Sequence, residues 1–211
     1  MTLYLSRLIL NPRSRQVIAE LADAYQMHRT LMRAFPSQED GGPGRVLFRV
    51  DSDAEGNPVI LVQSEKQPDW TFLSEKDYLL PLNDNPASKE YNPVLTEGRR
   101  LRFLLRANPT VKKAFEEGKP SKRIGIYTEE KQMEWLRRKA ESGGFRPDDF
   151  RILPRGMQTC RKAGETNTHL CVEFAGVLTV TDLEAFRETI ASGIGSAKGF
   201  GFGLLSVAPV R

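Results

Sequence analysis

The sequence predicts an α+β protein made of two βαββαβ units in tandem. Three observations point there. Several short runs alternate apolar and polar residues at a period of two, the runs between them carry helical apolar spacing, and 211 residues suit two units of about 100 each.

The first strand is read at residues 3–10 (LYLSRLIL), followed by Asn11 and Pro12 as cap and first residue of a helix running to Leu21. Asp23 and Gln26 then form a capping-box pattern opening a second helix, AYQMHRTLMRAF, which must stop before Pro36. Residues 45–51 and 58–64 read as a hairpin beyond the Gly41–Gly44 turn. The proline-interrupted stretch 67–98 is expected to hold an edge strand near Tyr78 and a linker.

Beyond it, strands are expected at 99–107 and 122–127, a helix at 129–141, and strands near 150–160 and 168–180. A helix at 182–192 and a last strand at 201–207 complete the order. The expected division is therefore residues 1–90, a linker at 91–98, and residues 99–211. This order matches tandem ferredoxin-like, RRM-like domains, an architecture common among RNA-binding modules. Fold alone carries no function.

Apolar residues make up 39% and charged residues 27% of the chain, an ordinary globular composition. No window approaches the roughly 18 apolar residues of a membrane span and no secretory leader opens the sequence, so a cytoplasmic location is expected. Cys160 and Cys171 are too few for a zinc-ligand pattern; an intracellular thiol pair is the default, with a bridge left open.

Charge is unevenly placed. Residues 1–98 carry 10 Lys/Arg against 14 Asp/Glu, whereas residues 99–211 carry 21 against 13. A basic half suggests a face for a polyanion, because cations near phosphates release condensed counterions. Period-two alternation in RRLRFLLRANP puts Leu101, Phe103, Leu105 and Ala107 on one face and Arg100, Arg102 and Arg106 on the other. Nine Lys/Arg in residues 99–123 face only Glu116 and Glu117, which favours phosphate contact over plain solvation. Arg161 and Lys162 form a second, weaker basic candidate.

On the helix beginning at residue 24, Ala24, Met27, Leu31 and Phe35 follow core spacing. His28 lies at the edge of that stripe, with Tyr25 beside it on the helix surface and Arg29 and Arg33 turned progressively toward solvent. The helix start offers a place for a scissile phosphate, opposed by the charge of Asp23. RNA carries its own nucleophile, the 2′-hydroxyl, and histidine, with an ordinary pKa of about 6.5, moves protons near neutrality. Spacing alone nevertheless favours a structural helix histidine. The other histidine, His169, sits in a strand and reads as a packing residue.

Other chemistries lack support. Carboxylates do not pair as two-metal ligands, and no G-x-S-x-G nucleophile appears. The segment GIGSAKGFGFGLLSVAP, with Lys198 among five glycines, runs from helix into strand. A nucleotide-binding loop runs the other way.

Taken together, MTLYLSRLIL, the Tyr-x-x-His of YQMHRTLMRAF, LRFLLRANPT, EKQMEWLRRKAESGGF and GIGSAKGFGFGLLSVAP resemble, in that order, the CasE family of CRISPR RNA-processing endoribonucleases. The resemblance implies two ferredoxin-like domains and a metal-independent, cofactor-free cut at the 3′ base of a CRISPR repeat stem-loop. It further implies attack by the 2′-hydroxyl, leaving 5′-hydroxyl and 2′,3′-cyclic phosphate ends, with the family's histidine falling on His28 and its tyrosine on Tyr25. The implied partners are the repeat RNA hairpin and the other Cascade subunits, with no membrane. RNA contacts are expected from Arg29, Arg100, Arg102, Arg106, Arg161, Lys162 and Lys198. Auxiliary catalytic groups in 145–168 stay unassigned, with Gln158 and Thr159 as further candidates. The rival reading is a non-catalytic RNA-binding scaffold subunit of a ribonucleoprotein.

Overall fold

A computed structural model describes residues 2–74, 77–113, 122–162 and 165–210. The chain forms two compact units. The first comprises Met1–Val94 with Thr159–Asn167 and Gly199–Gly201; the second comprises Leu95–Gln158, Thr168–Lys198 and Phe202–Arg211.

In the first unit, β1 (Leu3–Ile9), α1 (Arg15–Leu21), α2 (Ala24–Met32), β2 (Val46–Ser52), β3 (Pro58–Ser64), the single turn α3 (Thr71–Ser74) and β4 (Ala87–Tyr91) follow in order. The sheet runs β2-β3-β1-β4, antiparallel at every pairing. Met27 and Leu31, one helical turn apart, bury with Leu8, Phe48, Ile60, Val62 and Tyr78 in its core.

Several local details depart from the expected ones. Asn11 does not cap α1: its Oδ1 accepts the Arg13 N–H at 3.0 Å and its carbonyl the Ser14 N–H at 3.1 Å. A turn therefore comes first, and Ser14 takes the cap position. Asp23 does cap α2, but Gln26 does not complete a box. Its Oε1 accepts from Arg29, and the Asp23 N–H goes to Glu20 O. α2 ends at Met32, after which the amides of Ala34 and Phe35 tighten to the i−3 carbonyls before Pro36. The fourth strand is Ala87–Tyr91; Tyr78 is buried, and among the described residues an isolated bridge, Leu10–Leu79, lies beside it. The polar Ser-Lys-Glu of β4 suits a solvated edge strand, and the Ser6 and Ser88 hydroxyls meet at 2.9 Å across it.

The second unit holds β5 (Arg100–Ala107), β6 (Thr110–Lys113), β7 (Lys122–Gly125), α4 (Glu129–Ser142), β8 (Phe145–Lys162), β9 (Glu165–Val180), α5 (Leu183–Ser192) and β10 (Leu205–Pro209), the tip of β8 and β9 belonging to the first unit. A 3-10 turn spans Lys198–Phe200. The sheet order β10-β5-β9-β8 repeats that of the first unit, and β6 and β7 form a separate ribbon. Both four-stranded sheets have the ferredoxin-like order. β6 lies between the strands expected at 99–107 and 122–127, where no element is expected, because TVKK has no apolar alternation for a pattern argument to use. Lys119, Glu116 and Glu117 lie outside the described residues. Trp135 of α4 stacks on Phe174 at 5.9 Å, and Phe145 packs on Phe186 of α5 at 5.6 Å.

Candidate active site

α2 sends Ala24, Met27 and Leu31 into the core, which leaves His28, one position further round, half-buried at the rim. Burial pulls its pKa below the usual 6.5, because a shielded site disfavours the imidazolium. Among the described residues the ring has no hydrogen-bond or ion-pair partner. It lies against the backbone of the 3-10 turn: a Cβ added at Gly199 would stand 3.6 Å from its Cε1. Gly201, at φ +84°, brings the same segment against Phe48.

His28 opens onto a groove of about 580 Å³ whose lining includes Arg29, Arg33, Arg45, Gln38 and Gly199. The three arginines are exposed; the Arg33 guanidinium lies 4.6 Å above the Phe72 ring. Tyr25 is half-buried, one turn before His28. The arrangement offers an uncharged imidazole beside clustered positive charge, which suits proton transfer at a phosphate. Arg45 is a groove residue that sequence spacing missed, because it arrives from beyond the Gly41–Gly44 turn with no periodic relation to α2.

The start of α2 does not provide the anticipated phosphate site. The Tyr25 amide donates to Asp23 Oδ1 at 3.1 Å, and those of Gln26 and Met27 donate to the Asp23 carbonyl. Asp23 thus occupies the amides an anion would need.

Arg100 and Arg102 are exposed on β5. Arg100 Nε is 3.6 Å from Asp148, and Arg102 Nε donates to the Pro209 carbonyl at 3.3 Å. Arg106 differs, for it is 17% exposed and ion-paired with Glu173 at 3.2 Å. Glu173 also holds the half-exposed Arg155 at 2.7 Å, a cation that sequence reasoning passed over. Lys198 Nζ donates to the Ser192 carbonyl at the end of α5 at 2.7 Å. Arg161 is exposed at the hairpin tip; Lys162 ends β8, and its side chain lies outside what the structure describes. Gln158 and Thr159 precede them on the same strand.

His169 is half-buried, its Nδ1 3.4 Å from Asn108 Nδ2 and its ring edge-on to Phe202. Cys160 and Cys171 are buried thiols, and burial pushes both pKa values up. Among the described residues no group of three or more His, Cys, Asp or Glu gathers as metal ligands, and no helix is long and apolar enough to cross a membrane.

Comparison with known proteins places this geometry in a family. The model of the CRISPR associated protein family matches residues 3–209. The chain is 37% identical over 222 residues to the CRISPR-associated endoribonuclease Cse3 of Thermus thermophilus, covering 98% of this chain and 100% of that protein. It is 31% identical over 217 residues to the CRISPR system Cascade subunit CasE of Escherichia coli, covering 99% and 100%. The structure of Thermus thermophilus Cse3 bound to an RNA representing a pre-cleavage complex aligns with a TM-score of 0.87 at 36% identity, over 99% of this chain and 100% of that one. A shared fold, matched along essentially the whole length of each, leaves one assignment: the chain belongs to the CRISPR-associated protein family, in the group of CasE and Cse3.

Proposed function

We propose that the protein is a metal-independent endoribonuclease that binds the stem-loop of a CRISPR repeat transcript and cuts it at the 3′ base of the stem. One observation carries the reading most: a half-buried imidazole with a lowered pKa opens onto a groove lined by Arg29, Arg33 and Arg45. The names of the relatives, an endoribonuclease and a Cascade subunit, support it.

In this mechanism the neutral His28 takes the proton of the 2′-hydroxyl as its oxygen attacks phosphorus. The P–O2′ bond forms, the P–O5′ bond breaks, and the leaving O5′ takes a proton from water, which recovers it from the His28 imidazolium, giving 2′,3′-cyclic phosphate and 5′-hydroxyl ends and the neutral ring. Tyr25 steadies the reacting oxygens and Arg29 the phosphate charge. Residues 1–90 supply the catalytic helix and residues 99–211 the basic sheet, with Arg100, Arg102, Arg161, Lys162 and Lys198 on the RNA backbone. The enzyme acts in the cytoplasm and stays on its product within Cascade.

A repeat hairpin mixed with the protein in EDTA tests this. The expected result is one cut, abolished by a single 2′-deoxy substitution on its 5′ side; tight binding without a cut would instead establish a scaffold subunit.

Replacing both Arg100 and Arg102 by alanine is expected to weaken hairpin binding and to reduce the slope of log K against log[salt] by about 0.7 to 0.9 for each phosphate that is no longer neutralised. Arg106→Ala should act on stability instead, since it leaves the buried Glu173 carboxylate with one guanidinium fewer. Salt-titrated binding and thermal melts separate the two effects; an unchanged slope in the double variant removes β5 from the RNA interface.

A further inference from the structure

The tip of the β8–β9 hairpin is fastened to the first turn of α2 by one side chain. Asp23 Oδ1 accepts the Tyr25 amide at 3.1 Å and the Arg161 amide at 3.0 Å. Asp23 is 6% exposed as a residue, and Cys160, next to Arg161, is 2% exposed, so water competes weakly for these bonds. β8 is the edge strand of its sheet, and an edge strand presents amides that no ladder partner takes. Arg161 and Asp23 are 138 residues apart in sequence. A helix cap alone requires only the Tyr25 bond.

We propose that Asp23 is a positioning residue for cleavage: it locks the hairpin tip carrying Arg161 onto the start of the helix carrying Tyr25 and His28, so that RNA held by the tip is presented to the imidazole. This rests on the nuclease reading above. Asp23 itself touches no reacting atom; it sets the distance between a basic contact and a proton-transfer group. A displacement of about 1 Å at such a site lowers rate by up to roughly 10²-fold.

Three substitutions separate this role from capping. Asp23→Asn keeps an oxygen at the same reach and is expected to cut at close to the wild-type rate. Asp23→Ser keeps a good helix cap on a side chain one atom shorter, too short to serve Arg161 as well. Asp23→Ala loses both bonds.

The measurements are the single-turnover cleavage rate of a repeat hairpin at saturating protein, hairpin affinity, the melting temperature and hydrogen exchange at the Arg161 amide. Asp23→Ser should melt close to wild type, exchange faster at Arg161, and cut at least about tenfold more slowly with rescue by Asn. Cutting by Asp23→Ser at the wild-type rate, or unaltered exchange at Arg161, overturns the proposal while the wild-type cut upholds the nuclease. If the wild type does not cut, the nuclease reading falls first and the positioning role with it. Slow cutting by both Asn and Ser would also overturn it, because the charge and not the shared acceptor would then be at work.

Discussion

His28→Ala is expected to lower the rate of hairpin cleavage by about 10²- to 10⁴-fold, the usual contribution of a positioned acid or base, while hairpin affinity stays within about threefold. The asymmetry follows from geometry. His28 makes no hydrogen bond among the described residues, so its removal leaves no buried partner unsatisfied, and the groove arginines keep their charge. Single-turnover cleavage and filter binding on the same RNA check it; full cutting by the variant removes the imidazole from the mechanism.

The pH dependence gives the sign of its role. Burial lowers the His28 pKa below 6.5, so the ring is uncharged at neutral pH in the unbound protein. A group that must accept a proton is then competent on a plateau through neutrality. Activity measured as kcat/KM, which reports the unbound enzyme, should fall only on the acid side, with its midpoint displaced below that of an ordinary histidine. A rate that instead falls as pH rises through that midpoint assigns His28 the donor role.

The second large effect concerns stability. Gly144→Ala is expected to destabilise the second unit through two separate costs. Gly144 has φ +71°, and holding an L side chain there costs about 1 to 3 kcal/mol. The added Cβ would also collide with the Asp182 carbonyl and come within 2.7 Å of the Phe186 nitrogen, an overlap worth about a further 1 to 3 kcal/mol. These atoms belong to the start of α5, whose Asp182 amide, like that of Thr181, donates to the Gly144 carbonyl. Gly156→Ala is the control: its φ is +82° with nothing within 4 Å of the added Cβ, so it bears only the backbone cost. Thermal melts should show Gly144→Ala lower by several degrees, at about 2 to 4 °C per kcal/mol. Equal losses would show that the close approach of β8's start to α5 carries no energy.

How far the site was legible depended on whether its groups share an element. His28, Tyr25 and Arg29 lie on one helix, and helical spacing alone put His28 at the rim of the Met27–Leu31 stripe, where it lies. Arg45 and Gly199 reach the same groove from remote segments and leave no periodic trace. On β5, alternation separated Arg100, Arg102 and Arg106 from the apolar face, but Arg106 lies in an ion pair with Glu173 because its neighbour on β9 is acidic. Alternation along one strand carries no information about the strand beside it. The Asp23–Gln26 spacing likewise identified the cap but not the box, since Gln26 bonds to Arg29 instead.

The sequence by itself determined the two-unit α+β architecture and the side of each long element that faces a core, because these follow from local periodicity and burial of apolar surface. It also carried, through its motifs, the family. Only the tertiary structure decided which remote backbone meets α2: that residues 159–167 and 199–201 join the first unit, that Asp23 holds Arg161, and that Gly199 backs His28. Such contacts depend on hydrogen bonds and close approaches between segments more than a hundred residues apart, and no local pattern in a chain encodes which distant amide a carboxylate will find.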